Sequence, residues 1–566
     1  MSYLKSGNIL LICSSLCLLT GCNSEEQHTS YFSDVNKEAT VAIKAKKPKT
    51  NHVISREVNL AETDIIKPHD NNVELGNADP SDVISPLPHQ DSAKLHDKYL
   101  TTANYNISLP ADTTTKSGVS SFFLQNGLQV VVIPNHKIPA ITQMVWYRTG
   151  AMDEEKGQSG LAHFLEHLMF KGTTNLTPGE FSRLVAAYGG NDNAFTMQDA
   201  TAYFQKIPRQ YLRLVMILEA ERMRNLQLSD DEVLKERDVV LEERSSRVDN
   251  HPGQILGEKL RAALFSNHPY GIPTIGFRNE IESYDSAMVD TFYKRFYAPN
   301  NAILIISGAV TEDDVRAASE DIFGNIPPSD IDALPAPQKP ILSLGSDVSN
   351  NNIIMHDKRV KQEEWSRLYL APSISTENSK YGPALVVLSY ILGGSETSHL
   401  YRELVENKKL ATNTGSYYDD LSRSWTTFSL YASPTPHSTQ EELESAISSV
   451  IENIIENGAT DDELSRIKRQ IHAQSIYARE GLSGIARIYG RALISGADIN
   501  YVDNWPQDVE SVSNEDIKAA ARLVLNSNHY VTGTLLPAKE EISTSNSTNT
   551  SLNTQMNIEH NEKIND

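Results

Sequence analysis

Gly160-Leu-Ala-His-Phe-Leu-Glu-His-Leu-Met-Phe-Lys-Gly172 is the stretch on which the reading of this chain turns. Within it His163, Glu166 and His167 form the pattern H-x-x-E-H. Leu161, Phe164, Leu165, Leu168 and Met169 surround it with apolar positions, and the stretch predicts a short helix with Ser159 as its N-cap and Gly172 as its stop. Helical residues advance by about 100° each, so His163 and His167 stand about 40° apart on one face. Both imidazoles reach a single ion. Glu166, one step before His167, lies at the edge of the same arc and can lean over the metal without binding it. The pattern combines two metal ligands with a general base.

Catalytic zinc usually has three protein ligands and an open position. The third ligand must come from another element. Ser229-Asp-Asp-Glu-Val-Leu-Lys-Glu-Arg-Asp-Val-Val-Leu-Glu-Glu-Arg244 fits this need. Ser229 and Glu232 have the spacing of a capping box, which starts a helix. Glu236 and Glu243 then fall two turns apart along one face.

These stretches together resemble the pitrilysin/insulinase family of zinc metallopeptidases, the inverzincins, and especially its bacterial members similar to mitochondrial processing peptidase. That family carries H-x-x-E-H and, further on, a ligand glutamate closing an E-R-x-V-x-x-x-E stretch. Here the stretch is Glu236-Arg-Asp-Val-Val-Leu-Glu-Glu243, ending 76 residues after His167. The resemblance therefore implies one zinc ion per chain, held by His163, His167 and Glu243, with Glu166 as general base. It makes Glu236 a supporting acid behind the ligands, although the residues alone allow an ordinary solvated or salt-bridged glutamate there. Asn193-Ala-Phe-Thr-Met-Gln-Asp-Ala-Thr-Ala-Tyr203 resembles the family's edge strand, whose Asn193 and Ala194 would hold the substrate backbone. The resemblance runs from about Ser117 to Pro537. It includes His268-Pro-Tyr-Gly271 and Tyr297-Ala-Pro-Asn-Asn301, which by themselves read as turn and strand-entry signals.

The N-terminus reads as a processing signal. Lys5 is followed by the apolar run Ile9 to Leu19, too short to span a bilayer as a helix. Leu19-Thr-Gly-Cys22 resembles a bacterial lipobox, so residues 1–21 are expected to leave as a signal peptide and Cys22 to carry lipid. Asn23 lacks the usual inner-membrane retention signal, which implies an outer-membrane lipoprotein facing the periplasm. The three cysteines are Cys13, Cys17 and Cys22. After processing only Cys22 remains, which excludes disulfides, a cysteine zinc site and a thiol nucleophile. Residues 22–116 are polar and aperiodic and read as a disordered tether. Residues 539–566, rich in Ser, Thr and Asn, read as a disordered tail. The net charge of −22 argues against nucleic acid or an anionic membrane surface as partner.

Two globular blocks remain, residues 117–330 and 341–538, joined by a Pro-rich linker at 331–340. The first opens with a hairpin signal around Asn126-Gly127, followed by Leu128–Ile133 and a strand at Ile141–Arg148, then helices, then a strand at Ala302–Ser307. The second repeats the order, with strands at Asn352–Met355, Ser366–Leu370 and Thr426–Tyr431. The expected class is α+β. Each of two similar domains has a mainly antiparallel sheet with helices packed on one face, and the resemblance adds a clamshell chamber between them.

The second block has no H-x-x-E-H, and His399 there reads as structural or exposed rather than as a ligand. Many relatives grip substrate with an Arg and a Tyr in a pattern like L-R-x-x-x-x-L-x-Y. Here Leu404-Val-Glu-Asn-Lys-Lys-Leu-Ala-Thr412 puts Val405 and Thr412 at those positions. This departure implies a zinc-bearing chain that works with a homologous non-zinc chain as a heterodimer, or as a homodimer, on peptide substrates. The other class of function is a catalytically silent lipoprotein that binds peptides or scaffolds a complex. The intact Glu166 argues against it, because a scaffold needs no general base.

Overall fold

A computed structural model of the chain describes residues 109–329 and 352–538. The expected signal peptide, Cys22, most of the expected tether, the expected linker and the expected tail lie outside the described residues.

The first half runs β1 (Thr113–Thr114), β2 (Ser120–Phe123), β3 (Gln129–Pro134), β4 (Ala140–Tyr147), α1 (Leu161–Leu168), α2 (Glu180–Ala187), β5 (Asn191–Thr196), β6 (Thr201–Pro208), α3 (Leu212–Asn225), α4 (Asp230–Arg244), α5 (Pro252–Leu264), α6 (Arg278–Ile281), α7 (Ser286–Phe296), β7 (Ala302–Gly308) and α8 (Glu312–Phe323). The second half runs β8 (Asn352–Asp357), β9 (Glu364–Ala371), α9 (Gly382–Gly393), β10 (Ala411–Tyr418), β11 (Thr426–Pro434), α10 (Gln440–Asn457), α11 (Asp461–Glu480), α12 (Leu482–Ile494), α13 (Ile499–Ser511), α14 (Asn514–Val524) and β12 (Tyr530–Pro537).

The first sheet has the order β1-β2-β3-β7-β4-β6-β5 and the second β10-β11-β9-β12-β8. Without β1 and β2, the first sheet has the topology of the second. In each, the first and last strands pair in parallel and the other pairs are antiparallel. The internal duplication expected from element order is thus present in the strand order. The fold is α+β, with two mixed sheets that are mainly antiparallel. The Asn126-Gly127 signal marks the β2–β3 hairpin, whose last pair is Phe123 and Gln129.

Helices cover one face of each sheet, as expected. Val130, Val132, Val145 and Leu304 point into a core with Phe164 and Leu168 of α1 and Val215 of α3. The alternate positions are equally buried. Val131, Ile133, Met144, Trp146, Ile303 and Ile305 meet Ile485, Ile488, Tyr489 and Leu493 of α12, a helix of the other half. The second sheet receives the same treatment: Leu370, Val531 and Leu535 pack on Leu256, Leu260 and Leu264 of α5. Each half thus lends a helix to the outer face of the other's sheet. This explains why β3 and β7 read as nearly continuous apolar runs and why β4 does so outside Thr142-Gln143, since a strand buried on both faces loses its alternation.

Among the described residues no helix is long and apolar enough to cross a membrane. The lent helices approach their sheets closely. A Cβ on Gly490 of α12 would fall within the indole of Trp146. Gly490→Ala would gain up to about 1 kcal/mol in helix propensity, but overpacking costs about 1–3 kcal/mol. The variant is expected to melt at a lower temperature than wild type, and an unchanged or higher melting point would show that the two halves separate more easily than this contact implies.

Candidate metal centre

Helix α1 carries His163, Glu166 and His167, and it starts differently from the sequence expectation. Its N-cap is Gly160, at φ +89°, a left-handed conformation that favours glycine. Ser159 is occupied elsewhere, its hydroxyl accepting from Phe277 N–H at 2.9 Å. The free N–H groups of the first turn are met by a carboxylate from outside the helix. Glu154 accepts from Gly160 N–H at 2.8 Å and from Ala162 N–H at 2.9 Å. Helix α1 also ends at Leu168, before the expected stop at Gly172.

Helix α4 starts as its sequence predicts. Ser229 Oγ accepts from Glu232 N–H at 3.3 Å, and Glu232 Oε2 accepts from Ser229 N–H at 2.9 Å. Helices α1 and α4 pack together, and His163, His167 and Glu243 meet between them, with their ligand atoms within 4.8 Å of one another. Glu243 Oε2 is 3.2 Å from His167 Nε2 and 3.6 Å from His163 Nε2. Two ligand atoms on a tetrahedral zinc ion lie about 3.3–3.4 Å apart, given bonds of about 2.0–2.1 Å. Glu243 Oε2 is buried, and two imidazole nitrogens face it. The donor set therefore fits zinc in both chemistry and spacing. It is the one such cluster of acids, histidines and cysteines among the described residues.

The acids around the cluster hold it in place. Glu236 Oε1 lies 2.9 Å from His167 Nδ1, which leaves Nε2 turned toward Glu243. The other oxygen of Glu236 pairs with Lys171 at 2.5 Å. Arg247, in the π turn Ser245–Asp249 that follows α4, pairs with Glu243 Oε1 at 2.7 Å. Burial works against ionisation of Glu243, but His167, His163 and Arg247 hold its carboxyl down to about 2. Burial also works against a charged His167, but Glu236 and Glu243 hold the imidazole up to about 10.

Glu166 stands beside this cluster and takes no part in it. Burial pushes its carboxyl up to about 7, against a hydrogen bond that favours the ionised form. That bond comes from Thr196 Oγ1 to Oε2 at 2.6 Å. Thr196 closes β5, which is the edge of the first sheet and pairs with β6 alone among the described strands. Asn193 and Ala194 lie on this edge, opposite Phe204 and Tyr203. The Asn193 side chain accepts from the Ala194 N–H at 2.8 Å.

In the second half, His399 lies 3.3 Å from Glu463 and burial lowers its pKa. Arg402 pairs with the same Glu463 at 2.7 Å. Val405 packs against the second core. Thr412 accepts from Gln362 at 2.8 Å. Four residues at the centre were not singled out from sequence: Glu154, Lys171, Thr196 and Arg247. Arg247 stands four residues after Glu243 and Lys171 four after His167, a helical spacing that could have pointed to them. Glu154 and Thr196 act from other elements and had no local signal.

Comparisons with known proteins agree with this geometry. Residues 129–277 match the insulinase (peptidase family M16) domain, and residues 284–471 match the peptidase M16 inactive domain. The chain is 33% identical over 407 residues to the zinc protease PqqE of Helicobacter pylori, covering 70% of this chain and 90% of that protein. The crystal structure of a protease from Helicobacter pylori superposes with a TM-score of 0.68 at 31% identity, over 76% of this chain and all of that one. The first half of the periplasmic protease PqqL from Escherichia coli shares the fold, with a TM-score of 0.61 at 18% identity, over 75% of this chain and 93% of that one. The chain belongs to the insulinase (M16) family and is a zinc protease.

Proposed function

We propose that this protease cleaves peptides or unfolded segments in the cell envelope, with Glu166 as general base and His163, His167 and Glu243 as zinc ligands. The observation that carries this reading is the hydrogen bond from Thr196 to Glu166, which ties the base to the strand edge beside a preassembled His-His-Glu donor set. When bound, zinc polarises the scissile carbonyl and makes an attached water acidic near neutral pH. Glu236 keeps the His167 ring turned for this duty, a support that metal sites commonly need. Thr196 occupies Glu166 Oε2, leaving Oε1 to take a proton from the attacking water and to return it to the leaving amine. Burial pushes this carboxyl up from its ordinary value, which favours the return of the proton. The substrate adds as a strand along Asn193 and Ala194, where main-chain hydrogen bonds recognise a backbone without demanding much of its sequence. A silent scaffold would have no use for so constrained a base.

The finer parts of the reading rest on sequence. Residues 117–330 and 341–538 would be the catalytic and non-catalytic domains, packed through a shared core rather than enclosing the clamshell chamber expected between them. The Leu19-Thr-Gly-Cys22 pattern supports an outer-membrane lipoprotein on a tether through residue 116, facing the periplasm. Val405 and Thr412 at the usual Arg/Tyr positions support a working dimer, with a homologous chain that lacks zinc but supplies that pair, or with a second copy.

Glu166→Gln is expected to keep its zinc and to lose about 10²-fold or more in cleavage of a mixed pool of unstructured peptides. Equal cleavage by both proteins would overturn Glu166 as the base. Glu236→Gln should weaken zinc binding by about 10- to 100-fold in chelator competition, and unchanged binding would leave that acid a bystander. Full activity of the purified chain, unaltered by any added homologue, would defeat the heterodimer.

A further inference from the structure

The loop between β10 and β11 of the second half reaches across the seam and carries Arg423. Its Nη1 donates to both carboxylate oxygens of Asp153, at 2.8 and 3.1 Å, and to the carbonyl of Asp199 at 3.4 Å. Its backbone N–H donates to Asp199 Oδ2 at 3.1 Å. Only about a tenth of the Arg423 and Asp153 side chains is exposed. Asp199 also accepts from the hydroxyl of Tyr270, which in turn accepts from Ser422 at 2.9 Å. Tyr270 belongs to the His268–Gly271 turn, and His268 meets Ser424 at 2.9 Å. A motif that read as punctuation is thus the first half's receptor for a loop of the second.

Each acid held by Arg423 stands one short step from the catalytic groups. Asp153 closes its own turn by accepting from Gly150 N–H at 2.9 Å. The next residue, Glu154, is the carboxylate that caps α1. Asp199 lies in the turn between β5 and β6, three residues beyond Thr196, whose hydroxyl holds Glu166. The two turns are joined, because Ala151 and Met152 donate their N–H groups to the carbonyls of Met197 and Gln198 at 3.1 and 2.9 Å. A single guanidinium therefore spans the segment that starts the zinc helix and the segment that carries its strand edge.

We propose that Arg423 is a positioning residue for hydrolysis, supplied by the half that holds no metal ligand, and that it fixes α1 against the β5 edge. Its charge stands between two buried carboxylates; removing it leaves Asp153 without its main partner and strips the Asp199 segment of its side-chain tie to that turn, though the Asp199 carboxylate keeps Tyr270 and the backbone N–H. The geometry of attack depends on the same two segments, and a misplacement of about 1 Å can cost about 10²-fold in rate. Lysine could keep the charge but not the fixed planar placement of Nη1 between the two segments.

This inference rests on the hydrolytic reading above, and its test separates the two. The full chain is compared as wild type, Arg423→Gln, Arg423→Lys and Arg148→Met, by steady-state peptide cleavage, bound zinc and amide hydrogen exchange. Arg148 is the control. It bridges the same seam, donating to the Leu493 carbonyl at 3.1 Å and to Gln129 at 2.7 Å, and it touches neither acid. Arg423→Gln should hold one zinc per chain and keep KM within about twofold, while kcat falls by about 10- to 100-fold. Arg423→Lys should fall between Arg423→Gln and wild type, and Arg148→Met should melt earlier with kcat near wild type. In both Arg423 variants, exchange should quicken at residues 160–164 and 197–201 but not in α10. Wild-type kcat, or unchanged exchange at those two segments, would overturn the proposal. If Arg423→Gln does not fold, Arg423→Lys decides by the same readouts. If the wild-type chain cleaves nothing, alone or with the homologous non-zinc chain added, the hydrolytic reading fails, and exchange still decides whether Arg423 holds the two segments.

Discussion

The burial of both faces of both sheets is the constraint on which the rest of this structure depends. A sheet with one face on its own helices leaves the other to water, and β3, β4 and β7 are too apolar for that. The solution is reciprocal. Helix α12 closes the first sheet and α5 closes the second. Side chains reinforce the exchange by seating on glycines that leave them room, Trp146 against Gly490 and Leu260 against Gly533. The seam between the halves is therefore core, not a hinge between two finished domains.

The metal centre inherits its rigidity from that packing. Helix α1 is buried on its Phe164 and Leu168 side, which leaves His163, Glu166 and His167 turned toward α4 and β5. Helix α4 is fixed at its start by a capping box and near its end by Arg244, which pairs with Glu258 of α5 at 3.0 Å. Ligands from two separately anchored helices cannot drift together or apart with one loop. The base is anchored by a third element, the strand edge.

What could be read from the sequence follows the range of the forces involved. The double-sided strands were legible because burial on both faces writes long apolar runs in place of alternation, broken in β4 only by Thr142 and Gln143. The ligands were legible because helical geometry ties spacing to direction, and Ser229 with Glu232 because a capping box is local. The helix start at Gly160 was not, since its capping carboxylate, Glu154, comes from a preceding turn rather than from the helix. The strands β5, β10 and β12 carry polar residues or glycine, so their pattern is weak, and only the resemblance pointed to β5. Nothing near Arg423 in the chain announces its partners, which lie 270 and 224 residues away. The lent helices escaped for the same reason: amphipathic pattern says that a face is buried, not whose sheet buries it.

The exchange of helices also bears on how the protein is made. Thr142 of β4 and Ser483 of α12 touch across 341 residues of chain. A ribosome delivers the zinc ligands long before it delivers the helix that covers the sheet behind them. Until then the Trp146 face stays open, a strongly apolar surface of the kind that holds newly made chains on chaperones. Assembly of the protease must wait for the last third of its own sequence, so a chain cut short in synthesis cannot become a loose peptidase.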